Sequence, residues 1–408
     1  MSNRWVGLTL AIVFIMQPAS LASARNAPAP MAEASPLPER LESVTPSGDH
    51  LCPPRVQLRY PELCPGFGPA SELEELARMG LYPMKPLPTV DPIYYSPYLD
   101  SVFLRMTREG TPIYPSASAA WNGPAGSTSM SPRGFVFYAY TGTYVETATP
   151  EPPDDRPPVT AYRIASGYVR DSDVEKAVIA GRRGMEFSRT PDRPFGWVIS
   201  GGSCSQTSPG SGSYSGKCYV LHQVVQVYGA EQVGDWMWYQ IGPDEWLEQR
   251  MLSIVFPDGT PPEGVEDDRW IVVNLYEQNV TAYEAGELVY AAVASTGLRG
   301  TWTRPGLYQI QYKLDADTMT GGEVTPDGSN FYFLEYVPYV MYFDGARALH
   351  GTYWHNKFGT QASRGCVNLS KPDANWFYHF SSVGTWVYVW DPSGNTPTDP
   401  AMYGEGGA

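Results

Sequence analysis

Two residues near the C-terminal end have the types and spacing for covalent chemistry: His350 and, 16 positions on, Cys366. A thiol becomes a useful nucleophile near neutral pH only beside a base or a cation, because a free cysteine is only a few per cent thiolate there. A histidine at a strand end and a cysteine on a following glycine-containing turn can meet in space despite that separation. Gly365 allows a tight turn just before Cys366, so amides near both can face a developing oxyanion. Two blander readings compete. One is an inert buried thiol with a satisfied loop histidine. The other is zinc held by Cys366, His350 and His355, but no second cysteine or fourth ligand lies in this segment.

The elements that must position the pair read as strands. The chain has 408 residues, more than one hydrophobic core supports, so two or three domains are expected. It carries 28 Tyr and 12 Trp with 40 Gly and 39 Pro. Short Val/Tyr/Trp runs between Gly/Pro turns predict a mainly β fold. The net charge of −15 argues against a nucleic-acid partner, which would want a basic face. At the start, Arg4 precedes an apolar run at 5–16, and Ala22, Ser23 and Ala24 follow. These are the parts of a signal peptide over 1–24, hence a secreted or cell-envelope protein. An uncleaved N-terminus acting as a membrane tether is the alternative, although the run is short for a span, which needs ~20 apolar residues.

Five cysteines follow. Proximity pairs Cys52 with Cys64 and Cys204 with Cys218, the simplest arrangement in an oxidising compartment. Cys366 is then left over, as a free reactive thiol or half of an intermolecular bond. Residues 25–48 read as a flexible tether, and 49–99 hold the first cysteine pair and a helix at 70–79, capped by Ser71 and stopped by Gly80. Units at 100–178 and 179–255 each end in an aromatic strand, a tight turn and another aromatic strand. Those endings resemble bacterial Src-homology-3-like barrels. A Pro-rich acidic linker at 256–267 marks the clearest boundary. Strands then begin at Trp270, an acidic turn at Glu284-Ala285-Gly286-Glu287 makes a hairpin, and a catalytic domain occupies 268–391. Residues 392–408 read as a flexible tail.

The stretch HGTYWHNKFGTQASRGCVNL at 350–369, with WIVVNLYEQNVTAYEAGELV before it and DANWFYHF and GTWVYVWD after it, resembles the L,D-transpeptidase catalytic domain family. The order and spacing differ from papain-like peptidases, whose cysteine lies far ahead of its histidine. The resemblance implies a β-sandwich catalytic domain that acts on peptidoglycan stem peptides with no metal or cofactor. It implies Cys366 as nucleophile and His350 as base, oriented by the carbonyl of Gly351. Ser363 would brace the turn, the amides of Gly365 and Cys366 would serve the oxyanion, and Trp354 and Asn368 would line the substrate site. Arg364 stands where the family usually has a second histidine. A cation there would favour thiolate, and His355 is the candidate to compensate. An L,D-carboxypeptidase using the same thioester and an inactive wall-binding module are the alternatives. Oligomeric state, and whether the barrel-like units bind glycan, stay open.

Overall fold

Apolar runs that are buried on both faces decide which strands lie between cores. Residues 87–92, 102–140, 145–148, 157–179, 181–322, 330–404 and 406 are described in a computed structural model of the protein. The leader at 1–24, the tether at 25–48, Cys52, Cys64 and the helix expected at 70–79 lie outside them. The fold is mostly β.

Two sheets pack face to face around the C-terminal domain. The first runs Thr89–Val90, Met185–Phe187, Glu287–Val293, Asn279–Glu284, Arg269–Asn274, Trp386–Trp390 and Gly306–Gln309. The second runs Val367–Ser370, Arg347–Thr352, Tyr332–Asp344, Phe135–Tyr140, Val102–Met106 and Val174–Lys176, and Tyr312–Gly321 also pairs with Tyr332–Asp344. Ile271, Val273 and Val280 from one sheet meet Met341, Leu349, Val367 and Leu369 from the other in a single core. The helix Lys371–Phe380 adds Trp376 and Phe377 to it. Its start is fixed by Ser370, whose side chain accepts from Asp373 N, with a proline in the first turn. Ala285 and Gly286, both at positive φ (51° and 81°), form the hairpin turn between the strand that ends at Glu284 and the strand that begins at Glu287.

The N-terminal units are built differently from the expectation. Phe135–Tyr140 pairs parallel with Tyr332–Leu334 of the second sheet, and Val102–Met106 extends that sheet further. The physical reason is in the sequence FVFYAY: Val136, Tyr138 and Tyr140 enter one core while Phe137 enters another, so the strand is apolar on both faces and must sit inside a sheet. Phe103 stacks on Tyr353 with centroids 3.5 Å apart. A boundary between 100–178 and the catalytic domain would therefore cut through one continuous sheet. In the second unit, a three-stranded and a five-stranded sheet enclose their own core around Val198, Tyr239, Leu247 and Ile254. Among the described residues no closed barrel forms. Cys204 and Cys218 face each other across the hairpin of Ser203–Gln206 and Tyr214–Tyr219 and are disulfide-bonded. The expected tail is packed as far as it is described: Arg347 Nη2 donates to Gly404 O at 2.8 Å, and the guanidinium lies 5.3 Å from the Tyr403 ring centroid.

Candidate active site

Arg347–Thr352 and Val367–Ser370 pair in parallel, with His350 opposite Asn368 and Thr352 opposite Ser370. Leu349, Val367 and Leu369 enter the sandwich core. Strand alternation therefore turns His350, Thr352, Asn368 and Ser370 to the other face. One step earlier on that face are Ala348 and Cys366, which both enter the second core. The register thus brings thiol and imidazole to one side of one strand pair. Gly365 adopts φ 124°, in the region open to glycine, and a side chain there would meet Arg347 Nε at 3.1 Å.

Hydrogen bonds fix the pair. His350 Nδ1 lies 3.2 Å from Gly351 O. A carbonyl only accepts, so the proton sits on Nδ1 and Nε2 keeps its lone pair, which suits a base. Ser363 Oγ donates to Cys366 O at 2.6 Å and accepts from Gly365 N at 3.1 Å, spanning the turn. The Gly365 amide is thereby already engaged, unlike its expected oxyanion role. Cys366 is a free thiol, and its Sγ lies 3.5 Å from Ala346 O. The Trp354 ring lies 5.6 Å from that of His350, and His355 Nε2 is 2.9 Å from the Asn368 amide.

Burial governs the charges. Cys366 and His350 are both 0% exposed. Burial pushes the thiol up to about 12, against the pull of the Ala348 amide and the Arg347 charge. It pushes His350 down to about 4, with the Gly351 carbonyl opposing and His355 adding. His355 itself is lowered to about 4 by burial and by Lys357. The resting pair is therefore neutral thiol and neutral imidazole.

Arg364 does not act on the thiol. Its Nη1 donates to Asn330 O at 2.8 Å, and its guanidinium stands 5.0 Å from the Tyr332 ring centroid. The cation beside Cys366 is Arg347, which donates to Asp344 Oδ2 at 3.2 Å, while Arg304 holds the same carboxylate. Sequence reading passed over Arg347, since only the register places it there. His379 bonds Asn375 O in the last turn of the helix. Among the described residues, no group of three or more His, Cys, Asp or Glu side chains is placed to hold a metal, and no helix is long and apolar enough to cross a membrane.

Residues 268–389 match the YkuD family, the L,D-transpeptidase catalytic domain. A comparison with curated proteins gave no match. Among solved structures the chain is similar to an L,D-transpeptidase from Stackebrandtia nassauensis at 27% identity, covering 33% of this chain and 59% of that one, with a TM-score of 0.25. It is also similar to the catalytic domain of the E. faecium L,D-transpeptidase acylated by ertapenem (25% identity, 31% and 100% covered, TM-score 0.28). An L,D-transpeptidase from Mycobacterium smegmatis matches at 19% identity, with 47% and 95% covered and a TM-score of 0.28. This chain spans less than two thirds of the Stackebrandtia protein's length.

Proposed function

We propose that this protein is a peptidoglycan L,D-transpeptidase that works outside the cytoplasm through a Cys366 thioester. The observation that carries the reading is the placement of Cys366 and His350 on one face of one parallel strand pair, with His350 Nδ1 tied to Gly351 O and Nε2 left as a base. The match of 268–389 to a family that acts on peptidoglycan stem peptides supplies the substrate class.

The chemistry starts from a neutral pair, so proton transfer and attack go together. His350 Nε2 takes the thiol proton as Sγ bonds to the carbonyl carbon of the third residue of a tetrapeptide stem. The bond to the terminal D-Ala nitrogen breaks, and the proton passes from His350 to that amine. An amine from a second stem then attacks the thioester. His350 removes its proton and returns it to the departing sulfur, leaving a new amide and a regenerated thiol. Arg347 and the Ala348 amide favour negative charge on sulfur as it develops. Export by the 1–24 leader would bring the enzyme to its substrate.

Purified protein incubated with tetrapeptide-bearing muropeptides should give cross-linked dimers and free D-Ala, and a carbapenem should add covalently at Cys366. Tripeptide products without dimers would make it a carboxypeptidase. A protein giving neither product nor adduct would be a binding module, and turnover surviving Cys366→Ala would remove the thiol from the mechanism.

A further inference from the structure

The chain that follows the strand Trp386–Trp390 lies outside the matched segment 268–389 and takes a path fixed by its own short hydrogen bonds. The Asp391 carboxylate accepts from Ser393 N at 2.8 Å and from Thr396 N at 2.7 Å. Asp399 caps the helical turn Pro400–Met402 by accepting from Ala401 N at 2.9 Å. Tyr403 comes next, with its hydroxyl donating to Pro397 O and its ring 6.4 Å from that of Trp302.

This path leads to Arg347. Its Nη2 donates to Gly404 O at 2.8 Å, its Nη1 donates to Asp344 Oδ2 at 3.2 Å, and the guanidinium stands 5.3 Å from the Tyr403 ring centroid. The stem of the side chain passes between two glycines. A side chain at Gly406 would meet Arg347 Cγ at 2.5 Å, and one at Gly365, just before Cys366, would meet Nε at 3.1 Å. Both positions have positive φ, 88° and 124°, so backbone and space alike call for glycine. Arg347 is only 5% exposed as a result, and its Nε has no partner.

Charge gives this contact a consequence. Arg304 and Arg347 share the one carboxylate of Asp344, so the three together keep an excess positive charge. A cation held out of water acts far more strongly on its neighbours than a hydrated one, because attraction falls as the dielectric constant rises. Arg347 pulls the Cys366 thiol toward ionisation against the effect of burial. A loose, solvated arginine would lose most of that pull to screening.

We propose that Tyr403, Gly404 and Gly406 are positioning residues, a strap that holds Arg347 dry against the Gly365 turn so that its charge favours the thiolate formed in the reaction. This rests on the transpeptidase reading for the reaction itself. It places part of the support of the nucleophile outside the matched catalytic segment.

The test is the rate at which iodoacetamide labels Cys366 in the native full-length protein, at one pH and without substrate. Tyr403→Ala should slow labelling about threefold or more, by hydrating Arg347 and weakening its pull on sulfur. The same change in an Arg347→Met background should have no further effect. Tyr403→Phe keeps the ring and should restore the wild-type rate. Gly406→Ala puts a methyl group on the Arg347 stem; it should slow labelling as Tyr403→Ala does, and it provides the readout if that variant fails to fold. Faster labelling in Tyr403→Ala would overturn the proposal, because the segment would then be only a cover over the thiol. An unchanged rate, or equal slowing in the Arg347→Met background, would overturn it as well. With tetrapeptide substrate, Tyr403→Ala should lower kcat and leave KM unchanged. Absence of turnover by the wild-type protein would remove the transpeptidase reading, while the labelling cycle would still decide whether the strap acts through Arg347.

Discussion

Burial drives Cys366 and His350 in opposite directions, and the consequence is testable without substrate. With the thiol pushed up to about 12, thiolate is rare at pH 8 and alkylation of the folded protein should be slow. Iodoacetamide should label Cys366 at least ~100-fold more slowly in native protein than in urea. Equal rates would show an open, ionised thiol. Arg347→Met should slow native alkylation further, because it removes the one side-chain charge that favours the thiolate. Arg364→Ala should leave the alkylation profile unchanged, since that guanidinium is committed to Asn330 O and the Tyr332 ring. The imidazole gives the complementary sign. A base with its pKa lowered to about 4 stays neutral, and so competent, well below the pH at which an ordinary histidine protonates. The acid limb of kcat/KM should therefore fall below pH 6, and an inflection near 6.5 would mean the site is solvated when it works.

At the scale of elements, the strands that cover the catalytic sheet matter as much as the strands within it. A fragment beginning near Glu263 would lack Phe135–Tyr140 and Val102–Met106, leaving the Tyr332–Leu334 edge unpaired and Tyr353 without its stacking partner. An uncovered apolar edge invites aggregation. That fragment should be insoluble, whereas a chain starting before Thr89 should fold. Phe103→Ala in the whole protein should cost about 3 kcal/mol, read as a fall in Tm of roughly 6 °C or more. A soluble, carbapenem-reactive fragment would show the added strands to be dispensable. These elements also mark what a sequence discloses. The placement of His350, Ser363 and Cys366 on one strand–turn–strand unit was legible because the spacing is local, and the roles of base, brace and nucleophile are those proposed above. The hairpin at Ala285-Gly286 was legible for the same reason. Strands 102–106 and 135–140 read correctly as strands but were assigned to a separate barrel, because alternation reports which faces are apolar and not which sheet supplies the neighbour. Arg347 carries no motif at all. Its position follows from register and long-range packing, which single-residue patterns do not encode.

At the scale of the whole molecule, the unit at 195–255 packs on the sandwich through a shared apolar core, in which Phe195, Trp197 and Val255 meet Trp270, Tyr283 and Leu288, and beside it lies a buried carboxyl. Glu277 Oε2 accepts from Ile254 N at 2.7 Å, and beside it Asn279 Nδ2 donates to Ile254 O at 3.1 Å. Burial raises the Glu277 pKa to about 8, only partly offset by the Ile254 amide, so the folded protein holds this carboxyl protonated through neutral pH. The sign follows from proton binding. Between the unfolded value of 4.5 and the folded value of about 8 the native state binds the extra proton, so the contribution of Glu277 to stability is full below 4.5 and is lost as pH rises toward 8. Glu277→Gln keeps an oxygen for Ile254 N and carries no charge at any pH. Its Tm should match that of the wild type at pH 4 and exceed it by at least ~3 °C at pH 8, with the gap opening between those limits. A gap constant with pH would mean that the side chain acts through packing alone. A lower Tm for the variant at pH 8 would show that the carboxylate is charged and paired in the folded state, and that the seam between the two units is held by an ion rather than by a neutral acid.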